Sequence, residues 1–313
     1  MTLPNVQSSF CSSRSRVVDE PLYGTARHAG VYIIIEWNEK FPNEAIKAFV
    51  GQVFQGELQE KWRALLDRLP MPQVQLIRQR GFSIDEDGLS VFIAVPKEHS
   101  PLLYEFRLNS YKEILDLDIV AMVNGDEAYT DHLKESPLYL VCTNGSHDPC
   151  CARHGLPVYK SMSLYLGTPD VWQTSHIGGH RFAGTGILFP HGIFYGRLTA
   201  ENSPEVIDMY ENGTLSLDHY RGRVCYSRVE QAAEYHVRRK SGMTQLHMLS
   251  LLDTETVNED RWIMRFETRN KQTTHRIEIQ RELSTWANPM SCSKEEAESV
   301  AVYKVLDYSV NGA

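Results

Sequence analysis

The stretch Leu138–Leu166, LYLVCTNGSHDPCCARHGLPVYKSMSLYL, decides how the chain is read. It opens on the short apolar run LYLVC, which predicts a buried strand ending in a cysteine. The loop behind it carries Asn144, Gly145 and Asp148, residue types that favour tight backbone conformations. A helix is predicted from about Pro149 to Leu166, interrupted or bent near Gly155–Pro157. Strands follow at Val171–Ser175 and Gly184–Phe189, then the hairpin-like Pro190–Leu198. A short helix at Ser203–Asn212 has Gly213 as its stop. The order β-α-β-β-β-α predicts a small thioredoxin-like layer over residues 136–216.

Working outward, Val31–Glu36 reads as a buried strand and Gly56–Leu69 as an amphipathic helix ended by Pro70 and Pro72. Val74–Gln79, Ser90–Pro96 and Tyr104–Leu108 read as strands, with a turn at Asp85–Gly88. These make an α/β unit over residues 21–135. Residues 1–20 are polar and Ser-rich, and a flexible tail is expected there. Residues 217–313 are read as an α+β extension: a helix at Val229–Ser241, a hairpin around Asn270–Thr273, and a final helix opened by a capping box at Ser293–Glu296. The expected fold class is therefore α/β, and no internal repeat is visible.

The chain has 313 residues, 32 basic and 40 acidic, for a net charge of −8. That balance argues against a nucleic-acid binder, which needs a basic surface. No apolar run approaches the roughly 20 residues of a membrane span. No export signal is visible, so a cytoplasmic location is expected. Six cysteines in such a chain do not read as a disulfide framework; those that cluster point to metal or redox chemistry.

Three cysteines fall in CTNGSHDPCC (Cys142–Cys151), and HIGGH (His176–His180) follows after a further 24 residues. C-x8-C with H-x3-H offers two thiolates and two imidazoles, a donor set that suits Zn²⁺ or a [2Fe–2S] cluster. A zinc knuckle has two to four residues between its cysteines, whereas eight can wrap a larger object. Gly178 and Gly179 disfavour a helix and allow backbone N–H groups to approach a ligand closely. Rieske motifs interleave one Cys with one His; here the pairs are segregated.

On these motifs, with RGRVCYSRVEQAAE (Arg221–Glu234) and LYGTA before VYIIIE (Leu22–Glu36), the chain resembles the sucrase/ferredoxin-like family of thioredoxin-like [2Fe–2S] proteins. The resemblance implies a [2Fe–2S] cluster ligated by Cys142, Cys151, His176 and His180. The family's ligand lies three residues after the loop aspartate, here Asp148, which selects Cys151 and leaves Cys150 as a neighbour. Two imidazoles in place of two thiolates make such a cluster less negative, and its potential should lie above that of all-cysteine ferredoxins. Where a second ring nitrogen meets solvent, an electron should arrive with a proton.

One-electron transfer or redox sensing is the expected function, rather than enzymatic turnover. A structural zinc module is the alternative. Sugar hydrolysis finds no support, because no motif singles out a carboxylate pair. Cys150, Gly178, Gly179, Arg181 and Tyr195 are candidates to surround the cluster. His147 and His154 read as solvated side chains or proton relays. A redox protein is the expected partner, and a homodimer is a compatible assembly. Arg221, Arg223, Arg228, Arg238, Arg239 and Lys240 form a basic group that could meet an acidic partner or could be a solvated helix end.

Overall fold

A computed structural model describes residues 10–79, 88–167, 169–294 and 296–312. Most of the turn read at Asp85–Gly88 lies outside the described residues. After helix α1 (Cys11–Val17), strand β1 (Val31–Glu36) leads through α2 (Ala45–Val53) and α3 (Glu57–Asp67) to β2 (Pro72–Arg78), β3 (Leu89–Val95) and β4 (Leu102–Leu108). Helix α4 (Ile119–Asn124) precedes a second set: β5 (Leu138–Cys142), α5 (Pro149–Leu166), β6 (Val171–Thr174), β7 (Gly186–Phe189), β8 (Ile193–Tyr195) and α6 (Ser203–Glu211). Then come β9 (Tyr220–Arg223), α7 (Arg228–Ser241), β10 (Leu249–Asn258), β11 (Arg261–Thr268) and β12 (Thr273–Leu283). Two short strands, β13 (Asn288–Pro289) and β14 (Ala297–Glu298), and β15 (Ala301–Gly312) close the chain.

One nine-stranded sheet runs β4-β3-β1-β2-β6-β5-β7-β8-β9. Strand β1 pairs parallel with β2 and antiparallel with β3, and β4 pairs antiparallel with β3. In the second set β5 pairs parallel with β6 and antiparallel with β7, and β8 pairs antiparallel with β7. Each half thus orders its strands second-first-third-fourth, with the third reversed, which is the thioredoxin-like arrangement. The topology repeats although no repeat is visible in the sequence. The halves' strands meet where β2 pairs antiparallel with β6, through Ile77↔Thr174 and Arg78↔Gln173 among the described residues. Strand β9 extends the same sheet beyond residue 216.

The period of two along β1 explains its unbroken apolar run, because both faces are covered. Ile33 and Ile35 pack with Phe49 of α2, Phe54 just after it and Trp62 of α3. Tyr32 and Ile34 share the opposite core with Leu140, Cys142, Cys151 and Phe189, so one core crosses the seam between the halves. Behind the sheet, α7 packs Ala232, Ala233 and Val237 on Met264, Phe266, Ile277 and Ile279 of a four-stranded antiparallel sheet, β10-β11-β12-β15.

Four expectations change. Residues 11–17 form a helix with Cys11, Ser12 and Ser15 buried, not part of a loose tail. No helix follows Ser293–Glu296; the alternating run from Ala301 pairs along β12 instead. The basic group is not one surface: Arg221, Arg223 and Arg238 are buried, and Glu234 lies 3.1 Å from Arg223 and 3.0 Å from Arg238. Helix α5 is continuous through Pro157. Among the described residues, no helix is long and apolar enough to cross a membrane.

Candidate metal centre

The centre forms where β5 ends, α5 begins, and the His/Gly loop leaves β6. Asn144 turns the chain after β5: its Oδ1 accepts the His147 amide at 3.2 Å, and its Nδ2 donates to Pro42 O at 3.0 Å. Asp148 then caps α5, accepting the Cys150 amide at 2.9 Å. Gly155 lets the helix lie against the strand tip, since a Cβ there would sit 1.9 Å from Cys142 O. Cys151 and Gly155 are four residues apart, on one helix face, so Cys151 faces Cys142 across this close contact.

Cys142 Sγ lies 3.9 Å and Cys151 Sγ 3.6 Å from His176 Nδ1. Their donor atoms lie within 4.8 Å of one another, and a second group, His147, His176 and His180, satisfies the same limit. The two groups share His176. Positive φ at Gly178 (89°) and Gly179 (77°) shapes the loop that brings His180 back toward His176. Behind it the buried Arg221 donates Nη1 to Gly178 O at 3.0 Å and Nη2 to Thr25 O at 2.8 Å.

His180 shows how the ring is set. Its Nε2 lies 2.6 Å from Met290 O. A carbonyl only accepts, so Nε2 carries the hydrogen, and the neutral ring holds its lone pair on Nδ1. That Nδ1 is buried and has no hydrogen-bond partner. A metal-bound histidine is held in this way, with one nitrogen donating to a carbonyl and the other left for the metal. The donor set therefore fits a metal group on its own geometry.

The electrostatics agree. Cys142 is held well below the ordinary thiol range by the hydrogen bond from Cys151 and by His176, against the effect of burial, while Cys151 is pushed up. Burial keeps His147 and His180 neutral by lowering their pKa values. Neutral imidazole and thiolate are the ligating forms.

Not every expected neighbour is here. Arg181 reaches away to the buried Glu20, with Nε 2.5 Å from Oε1. Tyr195 packs in the core beyond β7 with Val141, Val158 and Leu198. Cys150 turns from Cys151 into a separate group with Cys11 and Cys292; adjacent residues on a helix diverge by about 100°. His147 proves more than a solvated ring. It stacks on His176 with centroids 3.8 Å apart, and its Nδ1 lies 3.2 Å from Asn43 O. Its place in the C-x8-C loop was the available signal. His154 lies 3.1 Å from Ser12 Oγ instead.

The fold and this centre define an α/β protein with a thioredoxin-like unit whose cysteines and histidines can hold metal. The model of the sucrase/ferredoxin-like family matches residues 22–222, and the chain belongs to that family. It is 31 % identical over 97 residues to altered inheritance of mitochondria protein 32 of Meyerozyma guilliermondii, covering 28 % of this chain and 34 % of that protein. The protein of the same name from Candida glabrata is 26 % identical over 111 residues, covering 31 % and 36 %. The chain thus spans about a third of the length of these curated relatives. Two solved cysteine-to-serine variants of the thioredoxin-like [2Fe-2S] ferredoxin from Aquifex aeolicus are similar at 16 % identity and a TM-score of 0.24. Each covers 27 % of this chain and 97 % of its own.

Proposed function

We propose that the protein is a one-electron carrier or redox sensor whose [2Fe–2S] cluster is held by Cys142, Cys151, His176 and His180. The observation that supports this most is the shape of the donor set. Two overlapping groups share His176, and the buried Nδ1 of His180 is unpartnered. A single zinc ion gathers its four donors at about 2.0–2.3 Å, and an extended pair of groups suits a two-iron centre better. When bound, the cluster supplies a site that takes up and releases one electron.

The chain's own residues do the rest. Asp148 and Gly155 fix Cys151 against Cys142, Met290 O orients His180, and the Asn43 carbonyl orients His147 over His176. The electron comes from or goes to a second redox protein, and a homodimer is compatible with this reading.

Anaerobic purification with iron and sulfide analysis tests it, together with visible absorption and EPR after dithionite reduction. The expected protein is brown, holds two irons per chain, and gives a reduced S = 1/2 signal that Cys142→Ala and Cys151→Ala abolish. An iron-free protein with zinc bound through Cys142 and Cys151 would make this a structural module instead. Titrating the potential against pH reports whether reduction brings a proton.

A further inference from the structure

We propose a second metal site, a zinc clasp formed by the thiolates of Cys11, Cys150 and Cys292 with the Asp148 carboxylate as fourth donor. The three sulfurs come from α1, from the first turn of α5 and from the segment after β13. They converge to 3.6 Å (Cys11–Cys150), 3.4 Å (Cys150–Cys292) and 3.6 Å (Cys292–Cys11). Both Asp148 oxygens lie 4.0 Å from Cys11 Sγ, and all four donor atoms fall within 4.8 Å of one another.

The spacing decides between covalent and metal chemistry. A disulfide needs sulfurs about 2.05 Å apart, and a pairing would leave the third thiol over. Four donors around zinc at about 2.3 Å put sulfurs about 3.8 Å apart along each tetrahedral edge. The observed triangle, with sides of 3.6, 3.4 and 3.6 Å, is closed to within a few tenths of an ångström of that.

Packing offers no other reason for the triangle. Among the described residues the apolar cluster around it is small: Ala183, Phe10 and the cysteines themselves. Cys11, Cys150 and Asp148 are almost wholly buried, at 1, 0 and 2 % exposure. Three soft donors and a carboxylate gathered away from water call for a cation.

The surroundings match a metal–thiolate site. The Cys11 amide points at Cys292 Sγ (3.4 Å), and Ser12 Oγ lies 3.2 Å from Cys150 Sγ. The Asp148 oxygens each accept one amide at 2.9 Å, from Cys150 and Cys292. Such bonds orient metal ligands and spread their charge. The clasp ties α1 and the segment after β13 to the start of α5, one residue before Cys151. It also anchors the segment whose Met290 carbonyl holds His180.

The clasp uses none of the four residues assigned to iron, and metal analysis of the full chain from zinc-supplemented cells separates the two. One zinc per chain is expected in the wild type and in Cys142→Ala, which lacks iron. Cys292→Ser, at a half-buried position, should lose zinc at least tenfold and keep iron. Cys225→Ser, outside the group, should keep both. In Cys142→Ala stripped of metal, added Co²⁺ should give a tetrahedral cobalt–thiolate spectrum that Cys142→Ala/Cys292→Ser lacks, with circular dichroism confirming that both are folded. A folded wild type without zinc would overturn the clasp, as would a trapped Cys11–Cys150 disulfide or a Cys292→Ser protein with full zinc. Iron that survives Cys142→Ala but not Cys292→Ser would overturn both assignments.

Discussion

Replacing Gly155 with alanine adds one methyl group where α5 meets the tip of β5. Its Cβ falls 1.9 Å from Cys142 O and 3.0 Å from the carbonyl carbon. An ordinary contact begins near 3.4 Å, so the helix must retreat by about 1.5 Å. The obstacle is backbone, which cannot rotate away. Overpacking costs about 1–3 kcal/mol, and this contact belongs at the upper end. Better helix propensity returns about 1 kcal/mol, leaving a net loss of about 2 kcal/mol. The retreat also separates Cys151, on the same face, from Cys142. Urea unfolding and iron content are the assays, and Gly155→Ala should lower the midpoint and lose more than half its iron. Gly51→Ala in α2 is the control, because nothing lies within 4 Å of its added Cβ; it should gain roughly 0.5–1 kcal/mol and keep its iron. A Gly155→Ala protein with normal stability and full iron would refute the close-contact account of how Cys151 is placed.

Glu234→Gln should destabilise the fold by about 3–5 kcal/mol, because it leaves Arg223 and Arg238 buried without their shared carboxylate; denaturant titration checks this. Acid should weaken the protein early. Burial lowers His191 to about 3 and His236 to about 4, so the unfolded chain binds their protons first, below about 6.5. Stability is then fully present above that pH and declines as pH falls toward the folded values; urea midpoints at pH 7.5, 6 and 5 should decrease in that order. Arg221→Met in the iron-loaded protein should lower the reduction potential by on the order of tens of millivolts, because a buried cation behind the His/Gly loop favours the reduced, more negative centre. Protein-film voltammetry reads that shift, and an unchanged potential would show that the charge is screened from the centre.

The elements that gather Cys142, Cys151 and His176 were legible because their signals are local. LYLVC, Asp148 ahead of Pro149, and the paired glycines each act within a few residues. Long-range features were not. Ser293–Glu296 carries a capping signal, yet Ala301–Gly312 finds a full partner in β12, and pairing overrides the cap. The Ser-rich start reads as polar, but Cys11, Ser12 and Ser15 lie on one side of a helix turned inward. The ion group needed Arg223 from β9 as well as the four-residue spacing of Glu234 and Arg238, and only the latter shows in a sequence. Cys150 read as a neighbour of the centre beside Cys151; helical rotation sends it to a different group.

The repeated topology explains why the first half stays beside a centre to which it gives no thiol. Strand β1 ends in Glu36 where β5 ends in Cys142, and Glu36 is occupied in accepting the Ser90 amide at 2.8 Å. Among the described residues the seam between β2 and β6 is two residue pairs long, and it lies at the carboxyl ends of both strands. The halves therefore meet tip to tip, and the loops after β1 and β5 face each other across the join. Pro42 O takes Asn144 Nδ2 and Asn43 O takes His147 Nδ1. The first half thus acts as a wall, built from the same arrangement of strands as the half it covers, and its loop carbonyls set the ring of His147 against His176.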